Sequence, residues 1–110
     1  MKHNALQMSL LLDYYGELLT EKQRTYFDLY YNQDLSLGEI AEEFGISRQG
    51  VHDFLTKAEV SLVHMEQTLG CVAREQKLQK LLDTICSAAE ELGDVPQKAR
   101  ILDAARELKE

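Results

Sequence analysis

The chain has 110 residues, 45% of them hydrophobic, and sets 19 acids against 12 Lys and Arg for a net charge of −7. That length suits one domain with a modest core, and the acidic balance argues against a strong, purely electrostatic nucleic-acid binder, because phosphate contacts need clustered cations. Cys71 and Cys86, without a secretory context, read as reduced thiols, and no apolar run is long enough to cross a bilayer; a soluble cytoplasmic protein without membrane insertion is expected.

Residues 1–15 open with a lysine followed by apolar residues, but Gln7, Ser9 and Asp13 interrupt any signal-peptide core. Leu6, Leu10, Leu11, Tyr14, Tyr15 and Leu18 instead recur at helical spacing and predict a first helix over residues 4–19, weakened late by Gly16. Thr20 and Gln23 make a capping-box pattern that opens a second helix carrying Tyr26, Phe27, Tyr30 and Tyr31 and ending near residues 32–34. Five tyrosines fall within the first 31 residues. Their spacing fits packing better than base stacking.

The next stretch organises the chain. Ser36 and Glu39 form another capping box, and Ile40, Ala41 and Phe44 then share one helical face. Gly45 follows where a helix ends in a left-handed residue, and Ile46 turns into the core. Ser47 can cap a second helix that buries Val51, Phe54 and Leu55 and turns Arg48, Gln49, His52, Asp53 and Lys57 outward. This is the pattern of a helix-turn-helix over about residues 36–57, whose core would be Ile40, Ala41, Phe44, Gly45, Ile46, Val51 and Phe54. Ala41 is small where the two helices must cross closely. A plain helical hairpin would need the same turn glycine. In a DNA-reading motif the second helix enters the major groove N-terminus first, where Arg48 and Gln49 stand.

Leu19-Thr20-Glu21-Lys22-Gln23-Arg24, Leu29-Tyr30-Tyr31, the run from Leu35 to Ala41 and Gly45-Ile46-Ser47-Arg48 resemble the C-terminal promoter-reading domain of bacterial sigma factors. Leu11 to Gly16 and the run from Ser47 to Asp53 resemble, more narrowly, the YlxM family of small bacterial proteins encoded beside the signal-recognition-particle GTPase. That likeness implies a helix-turn-helix regulator acting in the particle's pathway, with the particle or its GTPase as partner. At the surface the sequence departs from the sigma pattern: Gly50, His52 and Asp53 stand where sigma factors are rich in arginine.

Val51, Leu55, Ala58, Leu62, Met65, Leu69 and Val72 follow at 4, 3, 4, 3, 4, 3, a heptad seam on one long helix. Residues 47–69 alone would measure about 34 Å. Gly70 is the place for a bend. A second stripe, Leu78, Leu82, Ile85, Ala89 and Leu92, widened by Leu81 and Ala88, is rotated by roughly 120° from the first; it is expected to fold back or to meet a second copy in a homodimer. Gly93 to Pro96 break the chain before a short final helix with Ile101, Leu102, Ala105 and Leu108. The expectation is an all-α fold: a three- to four-helix helix-turn-helix domain over residues 1–69, with a long second motif helix, and a helical extension over 70–110.

Chemistry is sparse. His64 and Cys71 share a helical face but two ligands make no metal site, and no phosphate loop, zincin helix or nucleophile elbow occurs; neither enzyme activity nor a cofactor is expected. Two functions remain. In the first, which the register of the motif favours, the protein binds DNA, with Arg48, Gln49 and His52 toward bases and Lys57, Lys22 and Arg24 toward phosphates. Alternatively it is an adaptor for a basic partner, which the balance over residues 20–70 favours: nine acids against four cations, net −5.

Overall fold

The computed structural model describes residues 4–109, so Met1 to His3, the start of the stretch weighed as a signal peptide, lie outside it. The described chain is wholly helical. In order it runs α1 (Ala5–Tyr15), a 3₁₀ turn (Gly16–Leu18), α2 (Glu21–Tyr31), α3 (Leu37–Phe44), α4 (Arg48–Leu69), α5 (Cys71–Glu90) and α6 (Pro96–Lys109).

Local side-chain chemistry sets most helix starts. The Thr20 hydroxyl accepts from the Gln23 N–H while the Gln23 side chain accepts from the Thr20 N–H, and Ser36 and Glu39 repeat the exchange. Ser47 Oγ accepts from the Gly50 N–H at 2.9 Å and starts α4. Each such cap contributes roughly 1 kcal/mol by satisfying an otherwise orphaned donor. Two helices end in left-handed glycines, α3 at Gly45 (φ 67°) and α4 at Gly70 (φ 65°), a conformation in which a Cβ would crowd the following carbonyl.

The first helix is shorter than its apolar spacing predicts. It gives way at Gly16 to the 3₁₀ turn, whose tighter winding shifts the phase, so that Leu18 is exposed and Leu19 takes the buried place.

The chain divides into two compact units, one ending at Val72 and the other beginning at Ala73. In the first, α1 to α4 surround one core of Leu11, Tyr15, Tyr26, Phe27, Ile40, Ala41, Val51, Leu55, Ala58 and Leu62, all buried. Four of the five tyrosines pack there and Tyr14 is the exposed exception. The heptad seam is buried only in part. Val51, Leu55, Ala58 and Leu62 are sealed, Met65 is half-buried and Leu69 is open, because the seam is cut at Gly70 rather than running on through one helix. Past the turn Val72 is buried again. The second unit, from Ala73 onward, brings α5 and α6 side by side: Lys109 Nζ lies 3.0 Å from Asp83 and Lys98 Nζ 3.6 Å from Glu90. Leu82, Ala89, Leu102 and Ala105 are buried, whereas Leu81, Ile85 and Leu92 of the predicted stripe stay exposed. Pro96 occupies the first position of α6, where its missing N–H costs nothing.

Candidate nucleic-acid interface

The motif helices are α3 and α4, joined through Gly45 to Ser47, with Ile40, Ala41 and Val51 in the core between and behind them. Ile46 and Phe54 are half-buried against that core, Gly45 is exposed, and Phe44 keeps 40% of its surface open. The outward face at the start of α4 carries Arg48, Gln49 and Asp53 exposed and His52 partly so.

Their side chains are turned toward the protein itself. A Cβ placed on Gly38 would meet Arg48 Nη2 at 3.0 Å, Nε at 3.1 Å and Cζ at 3.3 Å. The guanidinium therefore lies across the first turn of α3, over the spot where every other residue would put a side chain. Gln49 Nε2 donates to Asp53 Oδ1 at 3.0 Å. His52 Nδ1 sits 3.7 Å from the same oxygen, too far for a hydrogen bond, and is buried without a partner while its ring stays substantially exposed. Asp53 thus puts a negative charge among the residues predicted to read bases.

The expected phosphate contacts are dispersed. Lys22 Nζ stands 5.6 Å above the centroid of the Phe54 ring, in cation–π range. The aliphatic part of Arg24 runs beside Gly16, so that a Cβ there would lie 3.8 Å from Arg24 Cδ. Lys57 is exposed on α4. With Lys2 and Arg48 these make five cations over residues 1–72, against eleven carboxylates, a net charge of −6, while residues 73–110 carry seven cations and eight carboxylates, a net charge of −1. Glu42 and Glu43 are exposed on α3; Glu39 is committed to its capping box.

Two polar networks join residues too far apart in the chain for spacing to reveal them. Tyr31 donates its hydroxyl to buried Glu59 at 2.6 Å. Tyr15 donates to Glu66 Oε1 at 2.6 Å and its oxygen accepts from the Cys71 N–H at 3.0 Å, while Glu66 also accepts from the Val72 N–H at 3.0 Å. One tyrosine and one glutamate thereby satisfy two of the orphan donors at the start of α5. Burial, reinforced by the hydrogen bond to Glu66, pushes the Tyr15 phenol up to about 12.

Among the described residues no group of three or more His, Cys, Asp or Glu side chains converges to hold a metal ion, and no helix is long and apolar enough to cross a membrane. What the arrangement offers is an exposed helical face framed by carboxylates.

Comparison with known proteins bears on the same shape. Residues 2–101 match the family model UPF0122, described as "Putative helix-turn-helix protein, YlxM / p13 like". A UPF0122 protein of Thermoanaerobacter pseudethanolicus is 46% identical over 114 residues, covering 100% of this chain and 97% of its own. One from Caldanaerobacter subterraneus is 51% identical over 77% of this chain and 73% of its own, and one from Halalkalibacterium halodurans 39% identical over 94% and 95%. With the family model spanning nearly the whole chain and near full-length relatives at such identity, the chain belongs to the UPF0122 family of YlxM/p13-like helix-turn-helix proteins.

Proposed function

We propose that this chain is a cytoplasmic regulatory adaptor that uses the helix-turn-helix as a protein-docking scaffold, and that its partner is the signal-recognition-particle GTPase or the particle itself. The partner follows from the YlxM resemblance. The mode of binding rests on one observation: Arg48 is laid on Gly38 and Gln49 is tied to Asp53 in a unit of net −6. A base-reading helix would have to release both side chains and then approach a polyanion with few cations to offset the repulsion. A basic protein surface meets no such barrier, and complementary charge speeds its encounter. The exposed stripe of Leu81, Ile85 and Leu92 supports self-association of the same protein through its second unit.

The test is a titration against the purified GTPase. Reversing Glu42 and Glu43 to lysine, with Glu39 left intact to preserve its cap, should slow association by about tenfold or more at low salt, and Arg48→Ala should change little. GTPase binding that ignores these charges would end the acidic-face version of this reading, and no binding to the GTPase or the particle would sink the adaptor reading itself.

A second reading keeps DNA as the ligand, favoured by the exposure of Arg48 and Gln49 at the N-terminus of α4. It expects a shallow log-log salt slope of about −2 to −4 per protomer, and a loss of roughly 1–3 kcal/mol on a specific site for Arg48→Ala. No retention of genomic fragments at about 50 mM salt, where nonspecific phosphate contacts are strong, would end it.

A further inference from the structure

We propose that the notch between α2 and the C-terminal end of α3 is a docking groove that takes one aliphatic side chain of a basic, amphipathic segment on a protein partner. The proposal rests on the adaptor reading and says where its apolar contact lies. The notch has a volume near 330 Å³ and is lined by Glu21, Lys22, Thr25, Tyr26 and Phe44. Phe44 is the last residue of α3, and 40% of it is open. Its ring is held from behind: Tyr26 meets it edge-on with centroids 4.9 Å apart, and Phe54 meets Tyr26 edge-on at 5.2 Å. Tyr26 is itself buried, so the wall under the notch is rigid and aromatic, and an incoming side chain need not order it.

Charge selects the occupant. Glu21 stands in the lining and Glu42 and Glu43 are exposed on the helix that ends in Phe44. Lys22, the cation in the lining, is drawn over the Phe54 ring. An apolar wall edged by carboxylates fits an aliphatic residue flanked by Lys or Arg; an acidic segment or a nucleic-acid backbone would meet like charge. The two parts divide the labour, carboxylates raising the rate of encounter and the apolar seat lengthening residence.

That division gives the test. A fluorescent peptide of leucines and lysines at amphipathic helical spacing is titrated into the full chain at low salt and again at about 1 M salt, where the screening length is only about 3 Å. A second peptide has alanine for every leucine. The leucine peptide should keep measurable binding at high salt and the alanine peptide should lose it. Phe44→Ala should weaken the high-salt binding at least tenfold, Phe44→Leu should restore most of it, and Glu21→Lys should weaken chiefly the low-salt binding. Thermal melts of each variant establish that it is folded. High-salt binding that is equal for both peptides, or unchanged in folded Phe44→Ala, overturns the groove. If low-salt binding still falls in the Glu42→Lys, Glu43→Lys double variant, the acidic-face reading survives that outcome. A leucine peptide whose low-salt binding ignores every charge change but fails with Phe44→Ala would remove the acidic face and leave the groove.

Discussion

The two units solve different problems with the same kind of helix. In the first, Leu55 and Leu62 on α4 are sealed by three other helices. In the second, Leu82 and Ala89 are buried while Leu81, Ile85 and Leu92 on the same helix remain in water. Charge divides along the same line, −6 over residues 1–72 against −1 over residues 73–110. A closed core can tolerate a strongly charged coat, since the coat adds only repulsion that salt screens. An open apolar stripe is better served by balanced charge, because a surface that meets another surface must not repel it.

The contrast can be broken most directly in the core. Leu55→Ala should cost about 2–5 kcal/mol, through lost burial and an unfilled cavity, read from urea or thermal unfolding. A loss below 1 kcal/mol, as expected of a peripheral site, would mean that the first unit is no better packed than the second. Ala41→Leu forces a larger side chain into the buried face of α3 and should cost about 1–3 kcal/mol; an unchanged melting temperature would show slack between the motif helices.

How far these features could be read from sequence depends on how far apart the partners stand in the chain. The capping boxes at Thr20 and Ser36 and the left-handed Gly45 involve residues within a turn of one another, so residue type and spacing sufficed. The Tyr15–Glu66 bond spans 51 positions, and nothing in either neighbourhood marks it; Tyr15 read simply as one more packing aromatic. Arg48 on Gly38 is intermediate. Both residues belong to the recognised motif, but periodicity places Arg48 on the outer face of its helix and is silent on where a long flexible side chain then folds. The same periodicity puts Phe44 wholly in the motif core, but Phe44 closes its helix and has no further turn to shelter it, so 40% of it stays open.

Smaller effects sharpen the comparison at the boundary. Nothing lies within 4 Å of a Cβ added to Gly70, so Gly70→Ala should cost only the left-handed backbone term, about 1–2 kcal/mol. A loss well above that would reveal a steric demand. Near neutrality the raised Tyr15 phenol changes nothing with pH. Its folded value of about 12 lies above the ordinary 10.0, so its stabilisation is complete below pH 10 and is lost as pH rises toward 12. Alkaline unfolding curves should therefore be steeper for the wild type than for Tyr15→Phe, and parallel curves would contradict the burial of that hydroxyl. The smallest effect belongs to the open stripe: Leu81→Ser should shift monomer stability by no more than about 0.5 kcal/mol, yet lower any self-association detected by light scattering.

Gly70 is the sole residue between a helix of 22 residues and one of 20. Were its backbone right-handed, the two would splice into a single rod of 43 residues, about 65 Å long at 1.5 Å per residue. The amides of Cys71 and Val72 would then find carbonyls one turn back and need neither Tyr15 nor Glu66. What opposes the rod is one pair of torsion angles together with the three hydrogen bonds that Tyr15 and Glu66 make at the joint. The apolar repeat from Val51 to Val72 is indifferent between the outcomes, since it would continue unbroken along the rod. Handedness at a residue with no side chain, latched from a distant tyrosine, thus decides whether one helix ends there and another begins or a single helix runs on.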